Sequence, residues 1–136
     1  MIVVCGNNAK LKKDLEIRQK SEPRLKRVFG FVDFMDELMA VSDLLITKPG
    51  GITVSESIAT GLPMILIEPI PGQEEANADY LVEQGAAVKA RNLPVLVSKL
   101  GLLIGSPYRL KAMSERAKAI SYPFAAKTVV DEAVKL

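Results

Sequence analysis

The feature that most constrains the fold is the turn Pro49-Gly50-Gly51, which joins an apolar run to a helical run. Residues 43–46 have the apolar character of a buried strand, and residues 53–60 have the pattern of a helix. Glycines allow φ > 0 and let another molecule approach the backbone. A helix that begins after such a turn presents free N–H groups and the positive end of its dipole, which favour an anion. The stretch therefore predicts a phosphate site or an ordinary strand-to-helix turn, since short glycine motifs occur in both.

Strands and helices alternate along the first two thirds of the chain. The apolar runs predict strands, and the intervening runs predict helices, at residues 2–5, 9–20, 26–32, 35–41, 43–46, 53–60, 64–67, 73–84 and 86–88. Apolar strands separated by helices indicate a Rossmann-like α/β fold, a parallel sheet with helices on both faces. Residues 94–136 predict a helical tail with breaks at 105–107 and 121–123, within one domain, 1–136.

Composition excludes several classes of function. The net charge of +2, from 18 basic and 16 acidic residues, gives no electrostatic case for nucleic acid binding. No apolar run reaches the ~18 residues that a membrane span needs. The one cysteine, Cys5, fits a reducing cytoplasm. Histidine is absent, so this chain has neither a histidine base nor an imidazole zinc ligand.

A first group of candidate ligands follows the glycine turn. Ligands bind outside the carboxyl ends of parallel strands, where the loops at Gly30, Gly50 and Pro71 are expected to gather. The N–H groups of residues 51–53, with the Thr53 hydroxyl, are suited to a phosphate. Glu56 lies three residues on, on the same helix face, where its carboxylate either accepts hydrogen bonds from a ribose diol or only favours the helix dipole. The motif is neither a Walker loop nor the usual dinucleotide fingerprint.

A second group opens the helix predicted at residues 73–84. Gln73 and Glu74 begin this helix and Asn77 lies one turn on, so amide and carboxylate groups stand side by side, as sugar hydroxyls require. The alternative is that the acids favour the helix dipole. Lys48 is either a partner for a diphosphate or a plain loop lysine. Phe31 is either part of a loop that faces a flat base or part of the core.

Together these motifs resemble a known family, glycosyltransferase family 28. The resemblance is to the C-terminal half of monogalactosyldiacylglycerol synthases and of processive diacylglycerol glucosyltransferases. It covers nearly the whole chain and is densest from residue 28 to residue 80. The matching segments are Phe29-Gly30-Phe31-Val32, Met35-Asp36-Glu37-Leu38-Met39, Ser42-Asp43, residues 47–53, Glu56, Gly61-Leu62-Pro63 and residues 71–77.

The resemblance implies the donor-binding half of a GT-B glycosyltransferase that moves a hexose from a UDP-sugar to a lipid and inverts the anomeric centre. It implies no cofactor and no required metal. It implies a uracil site at the backbone of Gly30, Phe31 and Val32. It implies that the diphosphate contacts Lys48, Gly50, Gly51, Ile52 and Thr53. It further implies that the ribose contacts Glu56 and that the donor sugar contacts Gln73, Glu74 and Asn77.

The chain departs from the family pattern at its start. By the resemblance, we expect the half that holds the lipid acceptor and the catalytic base, and the first strand of the donor half, to lie outside this chain, and therefore expect no catalytic residue here and no turnover by this chain alone. We further expect residues 2–5 and 43–46 to pair directly, or a second copy to form a homodimer there. The parent enzyme is expected to be cytoplasmic and peripheral at the inner face of the membrane.

Two other classes of function stay open on the sequence. One is a stand-alone nucleotide-binding or interaction module, and the other is part of a UDP-sugar epimerase. The epimerase is disfavoured because the chain lacks histidine and a convincing acid–base pair. An upstream reading frame that encodes a glycine-rich strand, loop and helix would favour the transferase over the module. The residues do not distinguish glucose, galactose or N-acetylglucosamine, nor the accepting lipid.

Overall fold

The computed structural model describes residues 1–122 and 124–135. They fall into two compact units, Met1–Met35 and Asp36–Leu136. Each unit has a parallel sheet of its own, with two strands in the first unit and three in the second. No helix in the described residues is long and apolar enough to cross a membrane.

The first unit is a single strand–helix–strand motif. Its elements are β1 (Ile2–Val4), α1 (Ala9–Gln19) and β2 (Arg27–Phe29), and the two strands run parallel. Asn8 caps α1, since its Oδ1 accepts a hydrogen bond from the Leu11 N–H at 3.0 Å. This cap gives one of the free N–H groups of the first turn a partner and sets where the helix begins.

The second unit holds the other nine elements. They are α2 (Met35–Ala40), whose first residue ends the first unit, then β3 (Leu45–Thr47), α3 (Gly51–Thr60), β4 (Met64–Ile67), α4 (Gln73–Glu83), β5 (Ala87–Ala90), α5 (Leu93–Ile104), α6 (Pro107–Ala119) and α7 (Ala125–Ala133). The strands lie in the order β3-β4-β5, and both pairs are parallel. The predicted α/β architecture with a helical tail is confirmed.

The core of this unit lies on both sides of β4. Because side chains alternate along a strand, Met64 and Leu66 face one side while Ile65 faces the other, and all three are fully buried. The first side is closed by residues from α3, α4 and α6, namely Val54, Ala78, Leu81 and Ala117. The second side is closed by Leu103 and Met113, from α5 and α6. Helices thus cover both faces of the sheet, as predicted.

Several element boundaries differ from the predictions. β2 stops at Phe29 because β1 offers only three residues to pair with. β3 reaches Thr47, which pairs with Leu66 of β4. α3 begins at Gly51 rather than at residue 53. The first break in the tail is confirmed at Gly105 and Ser106, between α5 and α6; of the second predicted break, residue 123 lies outside the described residues.

Direct pairing of residues 2–5 with residues 43–46 was wrong. In the described residues β1 pairs with β2 and β3 pairs with β4, in separate sheets. Each of the two strands already has a parallel neighbour that satisfies one edge of its backbone. That one-sided pairing is sufficient for the strand to form without the other sheet.

Candidate functional site

Two loops of the second unit meet at one edge of its sheet. β3 and β4 are neighbouring parallel strands, so their carboxyl ends lie side by side. Residues 48–50 follow β3, and residues 68–72 follow β4. The structure therefore brings the Gly50 and Pro71 loops together, as expected for an open α/β sheet.

The start of α3 leaves its backbone donors free. Gly50 is the N-cap residue, in an extended conformation with φ −65° and ψ 142°, and no side chain caps the helix. The N–H of Val54 makes the first intrahelical bond, to the Gly50 carbonyl at 2.9 Å. The N–H groups of residues 51–53 thus lie outside the helical ladder, at the positive end of the dipole. This is the arrangement that an anion requires.

The glycines of the turn leave open space beside the backbone and are not required for a positive φ. Neither Gly50 nor Gly51 uses the positive φ that glycine allows, because the positive-φ glycines of this unit are Gly61, Gly72 and Gly85. A Cβ added at Gly50 would meet nothing within 4 Å, and one at Gly51 would meet only Nε2 of Gln73 at 3.9 Å. The protein itself does not fill this space, so it stays open beside the free N–H groups.

Side chains of α3 line the same end of the helix. Thr53 and Glu56 are half-buried and three residues apart, which places them on one face. Within the described residues Glu56 and Lys48 form no ion pair. The Ile52 side chain is 78% exposed, so only its backbone is suited to the polar ligand predicted here.

The first turns of α4 pack against the glycine turn. Asn77 donates a hydrogen bond from Nδ2 to the carbonyl of Pro49 at 3.0 Å, and Pro49 is fully buried. Gln73 lies next to Gly51. The structure thus brings two of the predicted sugar ligands, Gln73 and Asn77, to the predicted diphosphate site. The sequence pattern did not show the contact between Asn77 and Pro49, because it spans 28 residues.

Glu74 has a structural contact that sequence reasoning missed. Its carboxylate accepts a hydrogen bond from the Ile70 N–H at 2.9 Å, which closes the loop between β4 and α4. Glu68, at φ 41°, is the non-glycine residue with positive φ in this loop, and Gly72 has φ 105°. A carboxylate in the first turn of a helix often bonds the preceding backbone, and that was the available signal. Its second oxygen is not engaged by this bond.

The predicted uracil residues belong to the first unit, where they follow β2. Phe31 is 74% exposed, so the alternative that it belongs to the core is wrong. A Cβ at Gly30 would lie 3.6 Å from the Gly6 carbonyl oxygen, which places the loops after β1 and β2 together. Phe29 and Phe34 pack edge to face with ring centres 5.7 Å apart, and this contact holds the ends of the loop that carries Phe31.

Other features of the second unit are separate from this edge. A cavity of about 340 Å³ lies near the amino ends of β3 and β4, lined among others by Ser42, Asp43, Thr60 and Lys111. The hydroxyls of Ser42 and Thr60 already donate to backbone carbonyls. No group of three metal-ligating side chains occurs in the described residues; independence from a metal stays a prediction.

Comparison with known sequences identifies a family. The model of the glycosyltransferase family 28 C-terminal domain matches residues 1–129. The chain is 44% identical over 131 residues to processive diacylglycerol beta-glucosyltransferases of Bacillus cereus (strain AH187) and Bacillus anthracis (strain A0248). These alignments cover 96% of this chain but only 34% of each relative. The chain thus spans about a third of the length of the relatives it matches.

Solved structures share the fold. MurG of Acinetobacter baumannii has a TM-score of 0.73 at 22% identity, over 99% of this chain and 52% of that chain. The Streptomyces sp. SF2575 glycosyltransferase SsfS6, complexed with thymidine diphosphate, has a TM-score of 0.59 at 11% identity, over 96% of this chain and 41% of that one. These likenesses confirm the predicted GT-B type of α/β fold. With the family match over residues 1–129, they show that the chain belongs to the glycosyltransferase family 28 C-terminal domains.

Proposed function

We propose that this domain binds the donor of an inverting glycosyltransferase that moves a hexose from a UDP-sugar to a lipid such as diacylglycerol. Membership of glycosyltransferase family 28 supports glycosyl transfer. The relatives at 44% identity are named processive diacylglycerol beta-glucosyltransferases, which supports a lipid acceptor. A more distant structural neighbour was solved with thymidine diphosphate, which supports a pyrimidine nucleoside diphosphate as the donor's leaving group.

One observation carries the proposal: the uncapped start of α3 faces open space at the carboxyl edge of the sheet. The N–H groups of Gly50, Gly51 and Thr53 are the proposed donors to the diphosphate, together with that of Ile52. Lys48, in the same turn, adds a positive charge. Backbone dipoles that are fixed before the ligand arrives stabilise an anion without reorganisation.

The remaining groups are assigned to the other parts of the donor. Glu56 accepts from the ribose diol, since it is half-buried on the α3 face that carries Thr53. Gln73, Glu74 and Asn77 contact the hexose, because α4 packs beside the glycine turn. Gly30, Phe31 and Val32 take the uracil through their backbone; the exposed Phe31 side chain adds a flat apolar surface there.

The proposed reaction is an in-line displacement. A lipid hydroxyl attacks the anomeric carbon from the face opposite UDP and gives its proton to a base. A new C–O bond forms, and the bond between the anomeric carbon and the β-phosphate oxygen breaks, its electron pair leaving with UDP. The N–H groups at the start of α3 stabilise the charge that develops on this oxygen, the role that a metal ion has elsewhere. We assign no catalytic residue to this chain and propose that the base and the acceptor site belong to a part of the enzyme outside it. The chain alone is then inactive.

We also place the parent enzyme in the cytoplasm, peripheral at the inner face of the membrane. A lipid acceptor lies in the bilayer, whereas a UDP-sugar dissolves in the cytoplasm, so the reaction belongs at the boundary. The relatives' names, which join diacylglycerol with glucosyl transfer, are the support.

Thermal unfolding with added nucleotides tests the proposal. A ligand that binds only the native state raises the free energy of unfolding by about 2.7 kcal/mol at 100 times Kd. We expect UDP, in the presence of a chelator, to raise Tm more than UMP does, because UMP lacks the β-phosphate. ADP is expected to raise it less than UDP. No shift with millimolar UDP, or an equal shift with ADP, would count against a uridine diphosphate site.

A further inference from the structure

Asn77 makes a contact that joins the two sides of the candidate site. Its Nδ2 donates to the carbonyl of Pro49 at 3.0 Å, across 28 residues of sequence. Pro49 is fully buried and Asn77 is half-buried. Because the partner is a carbonyl, which only accepts, the amide nitrogen must face it. The amide oxygen of Asn77 is then directed away from this carbonyl.

The carbonyl of Pro49 and the N–H of Gly50 belong to the same peptide group. In a planar trans peptide the N–H points opposite to the C=O. A carbonyl held toward α4 therefore directs the Gly50 N–H away from α4. This hydrogen bond therefore restrains the orientation of the Gly50 N–H, the first donor group of the turn.

The turn needs such a restraint because two glycines form it. Glycine has the freest backbone of all residues, and no protein atom lies within 4 Å of a Cβ position at Gly50. Neither glycine has the positive φ that would set it apart from other residues. Side-chain packing thus holds the buried Pro49 but not Gly50, and α3 has no side-chain cap. The bond from Asn77 links the turn to α4.

We propose that Asn77 is a positioning residue for the diphosphate, in addition to any contact with the sugar. By holding the Pro49 carbonyl it keeps the N–H groups of Gly50 and Gly51 in the arrangement that the diphosphate binds. The inference rests on the proposed function, since it needs a diphosphate at this edge. It has a specific consequence: Asn77 affects the affinity for UDP, which carries no donor hexose.

The test compares UDP with UDP-glucose in the Asn77→Ala variant. We expect the affinity for UDP to fall about five- to tenfold, the effect of one neutral hydrogen bond, and the affinity for UDP-glucose to fall at least as much. If Asn77→Ala weakens UDP-glucose alone, Asn77 is a sugar contact and the inference is wrong. If the wild-type chain does not bind UDP at all, the proposed function fails instead, so the two failures are distinct.

Three further variants separate positioning from loss of fold. Ala76→Gly, at an exposed position, weakens α4 by about 1 kcal/mol without removing the bond from Asn77 to Pro49, and an equal loss of UDP affinity in this variant would overturn the inference. Asn77→Asp keeps the side-chain volume but has no N–H to donate. It is compared with Ala76→Asp, which adds the same charge at an exposed neighbour. We expect Asn77→Asp to lose more UDP affinity than Ala76→Asp; equal losses would contradict the positioning role.

Backbone ¹⁵N relaxation gives a readout that needs no ligand. In the free chain, Asn77→Ala is expected to lower the order parameters of the Gly50 and Gly51 amides, while Ala76→Gly leaves them unchanged. Unchanged order parameters at both glycines in Asn77→Ala would show that the turn keeps its order without the bond, which overturns the inference.

Discussion

Glu56 is the residue whose substitution most sharply tests whether the ligand contains a ribose. It is half-buried and without an ion pair in the described part of the chain. Because hydrogen bonds to a charged group contribute roughly 1.5–3 kcal/mol, Glu56→Gln is expected to weaken UDP about tenfold or more. The same change is expected to weaken 2′-deoxy-UDP less, since one of the two hydroxyls is absent. Isothermal titration calorimetry of both ligands checks this.

Glu75→Gln is the matched control for Glu56→Gln. Glu75 lies exposed on α4 and loses the same charge, so its UDP affinity is expected to stay close to that of the wild type. If Glu56→Gln reduces the affinities for UDP and 2′-deoxy-UDP equally, the ribose role is wrong.

Gly51 tests whether open space at the start of α3 is needed for binding. Its φ is not positive, and an added Cβ finds ordinary contact distances, so Gly51→Ala and Gly51→Val are expected to fold. Gly51→Val should abolish UDP binding, because its side chain covers the free N–H groups. Gly101→Ala, in open space within α5, is the control, and it should keep UDP affinity and gain about 0.5–1 kcal/mol of stability. Full UDP affinity in Gly51→Val would place the diphosphate elsewhere.

Single residues differ in how far the sequence predicted them. The Asn8 cap and the left-handed Gly61 at the end of α3 follow local rules that the sequence shows. The sequence does not show the sign of φ at Gly50 and Gly51, because glycine adopts either sign and only the packed structure selects one. The bond between Asn77 and Pro49 depends on how α4 packs, which no local pattern shows.

At the scale of elements, the two helices at the ligand edge begin at glycines with different backbone conformations. Gly72, the N-cap of α4, has φ 105°, whereas Gly50, the N-cap of α3, has φ −65°. Nothing lies within 4 Å of a Cβ at either position. Alanine substitutions at the two positions therefore differ only in their effect on backbone conformation. Gly72→Ala is expected to lower the free energy of unfolding by about 1–3 kcal/mol. Gly50→Ala is expected to leave it unchanged or to raise it slightly.

Urea denaturation of the two alanine variants checks this prediction. Equal midpoints for Gly72→Ala and Gly50→Ala would mean that the loop between β4 and α4 relaxes freely. In that case the bond from Glu74 to Ile70 would not hold the loop in its left-handed conformation.

Element boundaries were predicted best where burial decides them. β4 was found residue for residue because its apolar run ends at Pro63 on one side and at Glu68 on the other. β2 was predicted too long because its end depends on how many residues of β1 pair with it. α3 was predicted too short because Gly51 and Ile52 are poor helix signals, although the free space at the turn allows the helix to begin there.

At the scale of the whole molecule, the strand order leaves edges for a second copy. β1 and β2 form one sheet, and β3 and β5 end the other, so in the described residues each of these strands has a partner on one side. Exposed strand edges are sites of association. We expect dimers of the 14.8 kDa chain at high concentration, measured by light scattering after size-exclusion chromatography.

A charge on an edge strand tests where such a dimer forms. Ile46, in β3, is 37% exposed, and Ile46→Lys is expected to restore the monomer because lysine on an edge opposes strand pairing. Val41→Lys, at a 74% exposed position outside the strands, is the control. A mass of one chain at all concentrations would contradict the dimer.

The central claim, that the carboxyl edge beside Gly50 and Gly51 binds UDP, is tested most directly by amide NMR. In a titration of the ¹⁵N-labelled chain with UDP and a chelator, we predict the largest shift changes at residues 51–53, with Glu56 next. The cavity at the opposite edge, lined by Ser42, Thr60 and Lys111, supplies the competing outcome. Changes centred on that cavity, or no change at residues 51–53 when UDP is saturating, would contradict the account.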